Sequence, residues 1–124
     1  MTRLALLIAT LVVAAPAAAE TSGWLTDNQF RKYSREQSRA GKLMTKLDCK
    51  NGSNYDDPQN GAVLFRATFV PNTKKSEWRY IWGELGAYKR NTAKLGAGFR
   101  RASYASFTRQ SGLFIQCSLW IKSN

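Results

Sequence analysis

LFIQCSLWIK, residues 113–122, alternates without a break. Leu113, Ile115, Cys117, Leu119 and Ile121 share one face, and Phe114, Gln116, Ser118, Trp120 and Lys122 share the other. That period of two predicts a β-strand with one buried face. Just upstream, Gln110-Ser111-Gly112 turns the chain, and Phe99 to Thr108 reads as a second strand. Its alternation is weaker, as a bulge would make it, with Phe99, Tyr104 and Phe107 as its large residues. Gly96 and Gly98 stop a helix expected over Glu84 to Leu95. Leu85, Tyr88, Asn91, Thr92 and Leu95 face inward on it, and Lys89, Arg90 and Lys94 face outward. Before that helix, Trp78, Tyr80 and Trp82 alternate with Arg79 and Ile81 in a short strand.

The first half of the chain echoes this order. Thr26 is an N-cap and Gln29, three residues on, completes a capping box. Leu25 and Phe30 are placed as a hydrophobic staple. The helix runs to Gly41, a C-terminal stop. Phe30, Tyr33, Gln37 and Ala40 form one stripe, and Arg31, Arg35 and Arg39 another at four-residue spacing. Leu43 to Lys50 is a strand with Leu43, Thr45, Leu47 and Cys49 on one face. A polar turn from Asn51 to Gly61, containing Asp56-Asp57-Pro58, leads to a strand over Ala62 to Val70. Each half is therefore helix, glycine, strand, turn, strand, with Gly41 matching Gly98 and Phe69-Val70 matching Trp120-Ile121. Units of this length suggest duplication, with two unrelated α-β-β units as the alternative. The expected class is α+β: an antiparallel sheet of about five strands with two helices on one face.

The second half resembles a known family. A helix, then Gly98-Phe99-Arg100 on a strand, a tight turn at Gly112 and a strand ending Leu119-Trp120-Ile121-Lys122 resembles a unit of the bacterial tandem repeat family. Those units accompany secreted hydrolases such as the polyglycine hydrolases. The first half departs from the pattern through its longer turn and its lack of a terminal Trp, and the cysteines are no part of it. The resemblance implies an accessory or interaction module, with no catalytic residues to carry over.

The amino terminus decides the compartment. MTRLALLIATLVVAAPAAA, residues 1–19, has Arg3 before an apolar run too short to span a bilayer, then Pro16 and a small-residue cleavage site. Residues 1–19 are expected to be a signal peptide and residues 20–124 one secreted or periplasmic domain. Cleavage at Ala-Glu leaves no cysteine for a lipid anchor, and no later run has the length of a membrane span. Export predicts that Cys49 and Cys117 pair as one disulfide, with two buried free thiols or an intermolecular bridge as the alternative. It also removes cytosolic nucleic acid and cytosolic cofactors from the expected partners.

The full chain carries 19 Lys plus Arg against 8 Asp plus Glu, a net charge of +11 that falls to +10 without Arg3. Such a surface attracts polyanions: lipopolysaccharide, anionic headgroups, acidic polysaccharide or an acidic protein. Solubility with weak wall adhesion is the plainer reading of the same charge. Two sets of residues are candidate binding groups. One is cationic: Arg31, Arg35 and Arg39 on the first helix, Lys89, Arg90 and Lys94 on the second, and Arg100 and Arg101 after it. Helices lying side by side would merge these into one surface. The other set is aromatic: Trp78, Trp82, Phe114 and Trp120 on strands, either a stacking platform or a second core, with a homodimer as a further way to cover it.

The chain has no histidine. That excludes Ser-His-Asp and Cys-His nucleophilic systems and His-based zinc sites. No glycine-rich phosphate loop follows a strand, since Gly96-Ala97-Gly98 closes a helix. A glycosidase needs two carboxyls facing each other about 5 to 9 Å apart, and Asp56-Asp57 are adjacent on a loop. Ser103 and Ser118 have no identifiable base. No cofactor, metal or catalytic residue is therefore expected. The reading is an exported, non-catalytic basic binding module for an anionic envelope component or a protein, of which an inhibitor or immunity-type protein is a concrete form. The alternative is a secreted effector or enzyme acting on an anionic polymer.

Overall fold

A glycine at positive φ turns the chain from helix to strand twice, at Gly41 (74°) and Gly98 (92°). A residue without Cβ enters this region at little cost, which is why each helix stops where it does. The computed structural model describes residues 18–52 and 61–123. In chain order its elements are β1 (Glu20–Thr21), β2 (Leu25–Thr26), α1 (Asp27–Arg39), β3 (Lys42–Asn51), β4 (Val63–Pro71), β5 (Glu77–Glu84), α2 (Leu85–Ala93), β6 (Phe99–Thr108) and β7 (Phe114–Lys122). Most of the expected signal peptide and the Asp56-Asp57-Pro58 turn lie outside the described residues. No helix among them is long and apolar enough to cross a membrane.

The α+β class holds, with all strand pairs antiparallel. The single sheet of about five strands is corrected to two sheets. In the first, β4 is central, with β3 on one side and β1 and β2 on the other. In the second, β7 is central between β5 and β6. The two units are β2–α1–β3–β4 and β5–α2–β6–β7, and their strand orders correspond. The strand before each helix pairs with the last strand of its own unit, a feature of the repeat that the periodicity alone left out.

Both units also slip register at the same place. The pairing of β3 skips Thr45, and the pairing of β6 skips Ala102, each four residues past its glycine. The extra residue is a β-bulge. In β3 it overturns the expected face, because Met44 now joins Leu47 and Cys49 in the core and is fully buried. A strict alternation would have put Met44 outside with Lys46.

The sheets pack face to face through aromatic rings. Phe65 meets Trp82 edge-on at 5.0 Å and Phe69 meets Trp78 at 5.7 Å. Ile115, Cys117 and Leu119 of β7 close the same core. Trp78 and Trp82 are thus inter-sheet residues. Where β3 runs beside β6 there is no backbone ladder, and Ser103 supplies the missing bonds. Its hydroxyl accepts the Leu47 N–H and donates to the Leu47 carbonyl, both at 3.1 Å. Cys49 and Cys117 pair across the sheets with Cα atoms 6.4 Å apart, as expected.

The two helices do not share one face. α1 packs on the side of the first sheet that also receives the second sheet: Phe30 stacks on Phe65 at 5.4 Å and meets Tyr80 edge-on at 5.0 Å. α2 lies on the opposite side of the second sheet, where the Tyr88 hydroxyl bonds Ser118 at 2.8 Å. The helices make no contact with each other. Alternation decides this arrangement, since Ser118 points away from Cys117 and toward α2.

At the start of α1 the Thr26–Gln29 capping box forms, with the Thr26 N–H donating to Gln29 Oε1 at 3.1 Å. Thr26→Ala is expected to lower stability by about 1 kcal/mol, read as a shift in the urea midpoint. An unchanged midpoint would show that the cap contributes nothing.

Candidate functional site

Arg31, Arg35 and Arg39 stand on the exposed side of α1 as the four-residue spacing requires. Arg31 pairs with Asp27 at 3.0 Å. That exposed pair contributes little to stability. Arg35 and Arg39 form no ion pair among the described residues. One helical step toward the body of the protein, Ser34 and Ser38 face β5. Their small side chains leave a groove of about 200 Å³ between helix and strand. Trp78 and Tyr80 form its sheet side, and Arg31 and Arg35 its helix rim. A second hollow of about 260 Å³ shares Ser38 and Trp78 and extends to Lys42, Asn72 and Glu77.

The groove is held rigidly. The Trp78 indole N–H donates to the Lys42 carbonyl at 3.1 Å, which fixes the ring across the start of β3. Asn72 bonds Ser76 on both sides of its amide, accepting the Ser76 N–H at 2.9 Å and donating to its carbonyl at 2.8 Å. The Ser34 hydroxyl donates to the Phe30 carbonyl. Burial raises the Tyr80 pKa above its usual value. The Ser34 hydroxyl opposes that shift, as do Arg31 and Arg35, while Asp27 adds to it. Tyr33 is raised as well, first by burial and then by the Glu20 charge. The folded state therefore favours both phenols in neutral form. Their contribution to stability is complete below the ordinary tyrosine pKa of about 10 and is lost as pH rises past it. An alkaline absorbance titration should show late-ionising tyrosines in the folded protein. Tyr80→Phe should remove one of them, and a profile unchanged by that substitution would contradict the placement.

The other expected groups are distributed differently. Lys89 and Arg90 lie on α2 and Lys94 is its C-cap, and since α1 and α2 do not touch, the merged cationic surface expected from side-by-side helices does not form. Arg90 joins Trp82, Glu84 and Leu113 around a separate hollow of about 490 Å³. Arg100 lines a further hollow with Gly98 and Ile121. Arg101 lies over the Tyr104 ring at 4.7 Å. The aromatic set divides by strand face: Trp78 and Trp82 point between the sheets, while Phe114 and Trp120 point to the α2 side.

The structure thus brings Arg31, Arg35 and Trp78 together and separates them from Trp82, Phe114 and Trp120. Sequence reasoning missed Ser34 and Ser38 as site residues. Their signal was two small polar residues one turn apart on an otherwise bulky helix. Ser103 is engaged by the Leu47 backbone. Ser118 is fully buried, with the Trp120 indole N–H donating to its Oγ at 2.7 Å. No group of three metal-binding side chains occurs among the described residues. Compared with known protein families, curated proteins and solved structures, the chain matches none.

Proposed function

We propose that this chain is an exported, non-catalytic binding module that holds a polyanion of the cell envelope, or an acidic protein in the manner of an inhibitor, in the groove between α1 and β5. One observation carries the reading: Arg31 and Arg35 rim a groove whose other wall is Trp78 and Tyr80, with the Ser34 and Ser38 side chains between them. Guanidinium groups supply charge and directed hydrogen bonds to carboxylate or phosphate. Aromatic faces supply area without charge, and the exposed Ser38 hydroxyl suits an uncharged oxygen of the same ligand. The net positive charge raises the local concentration of anions around this site. The disulfide supports an exported role.

The test is retention of the purified protein on immobilised lipopolysaccharide and on peptidoglycan at low and high salt. Retention at low salt and release as salt rises is the expected result, because ions screen exposed charge. Retention that is absent at low salt, or insensitive to salt, would contradict the reading.

A further inference from the structure

The two units stack front to back, and the front of the second has no unit upon it. Aligning Gly41 with Gly98 through the matched bulges pairs Met44 with Arg101 and Leu47 with Tyr104. The strand registers then pair Phe65 with Gln116 and Phe69 with Trp120. In the first unit these positions are buried under α1 and the second sheet. In the second unit α2 covers part of the face, and Tyr104 and Phe114 are 41% and 40% exposed. Arg79, Trp120 and Arg101 stand directly opposite one another on the three strands. Cations and rings interleave around them: Arg101 lies over Tyr104 at 4.7 Å, and Arg79 and Lys122 lie over Phe99 at 5.5 and 5.9 Å. None of these three cations has an ion-pair partner among the described residues.

We infer that this face is a second binding site, for an acidic glycan, separate from the α1–β5 groove. The Trp120 indole N–H is already committed to Ser118, so what its ring has to offer a ligand is stacking area. The apolar face of a pyranose ring suits it. Arg79 and Arg101 flank Trp120 by one strand spacing each, so their Cα atoms are about 10 Å apart. A sugar within a chain has neighbours on both sides, and carboxylate, sulfate or phosphate groups on those neighbours meet one guanidinium each. A nucleotide carries its phosphates on one side of the base and leaves one arginine unmatched. A second copy is opposed by charge, because the outer face of the first sheet carries Lys46, Lys50 and Arg66 against the one carboxylate of Asp48. A permanent protein interface would keep the apolar residues of the first unit. Arg101 and Tyr104 in their place, both exposed, suit a hydrated surface that binds reversibly.

The experiment is a proton–nitrogen correlation spectrum of the labelled protein titrated with hexagalacturonate. Maltohexaose, poly-glutamate and oligo-thymidylate serve as comparison probes. Shifts at 99–104 and 118–122, including the Trp120 indole, are expected with hexagalacturonate and not with the other three. Arg79→Gln with Arg101→Gln should weaken these shifts by about tenfold in affinity, with the rest of the spectrum unchanged. Shifts confined to 31–38 and the Trp78 indole, with Arg79 unmoved, would overturn this site and leave the groove reading standing. Shifts confined to 99–104 and 118–122 would do the reverse. Equal shifts with poly-glutamate or oligo-thymidylate would overturn the glycan assignment. Movement of the Trp120 resonances with protein concentration alone would assign the face to a second copy and overturn the proposal.

Discussion

Replacing Cys49 and Cys117 together by alanine is expected to remove roughly 4 kcal/mol of unfolding free energy, from the chain-entropy cost of opening so long a loop. The bridge spans 68 positions and joins β3 of the first sheet to β7, the central strand of the second. Both cysteines are buried in the shared core, so the double substitution also leaves two small gaps there. A loss of this size is a large share of the 5 to 15 kcal/mol that stabilises a typical domain. Urea titration of the wild type and the double variant measures it directly. Coincident midpoints would show that the sheets hold together without the bridge. Thiol labelling of the unfolded, unreduced wild type should find no free cysteine.

Phe30→Ala is expected to cost about 3 to 5 kcal/mol, the range for truncating a fully buried aromatic. Phe30 is the point where three elements meet. It projects from α1, stacks on Phe65 of β4 and meets Tyr80 of β5 edge-on. Its removal opens a cavity between the two sheets at the edge that α1 closes. The substitution should also widen the groove beside Ser34 and reduce anion binding along with stability. Arg35→Gln, on the exposed side of the same helix, should leave the urea midpoint within about 0.5 kcal/mol of wild type. A Phe30→Ala variant as stable as wild type would mean that α1 is not seated in the core.

The strands were readable because each half buries one face. Leu113 to Lys122 alternates with large apolar residues, and the resulting strand begins one residue later than expected. Phe99–Thr108 falls where the weaker pattern put it, and its bulge is real. The two-sheet arrangement was not readable, for a physical reason. Trp78, Tyr80 and Trp82 are apolar enough to face a helix or another sheet, and alternation does not say which. The bulge at Thr45 was hidden for a related reason. Leu43 and Met44 are both apolar, so either could have been the core residue before the register was known.

The candidate site was legible in parts. Helical spacing gave the Arg31, Arg35 and Arg39 row, and strand spacing gave Trp78. What joined them was the passage of α1 beside β5, a tertiary relation that no local pattern encodes. The expectation that the cations of both helices merge failed on the same ground: each helix covers the front of its own sheet, and those fronts lie in different layers. The shared order of the two units, read from Gly41 and Gly98, is the more informative signal. It fixes which residue of the second unit occupies the place of each core residue of the first.

The most direct measurement is the affinity of the purified protein for lipopolysaccharide across a salt series, for wild type and for the combined Arg31→Gln, Arg35→Gln and Arg39→Gln variant. Wild-type binding is expected to weaken steeply with salt, and the variant to bind more weakly, with a flatter dependence, while keeping its urea midpoint. Identical affinity and identical salt dependence in a folded variant would contradict the claim that the α1–β5 groove holds the polyanion.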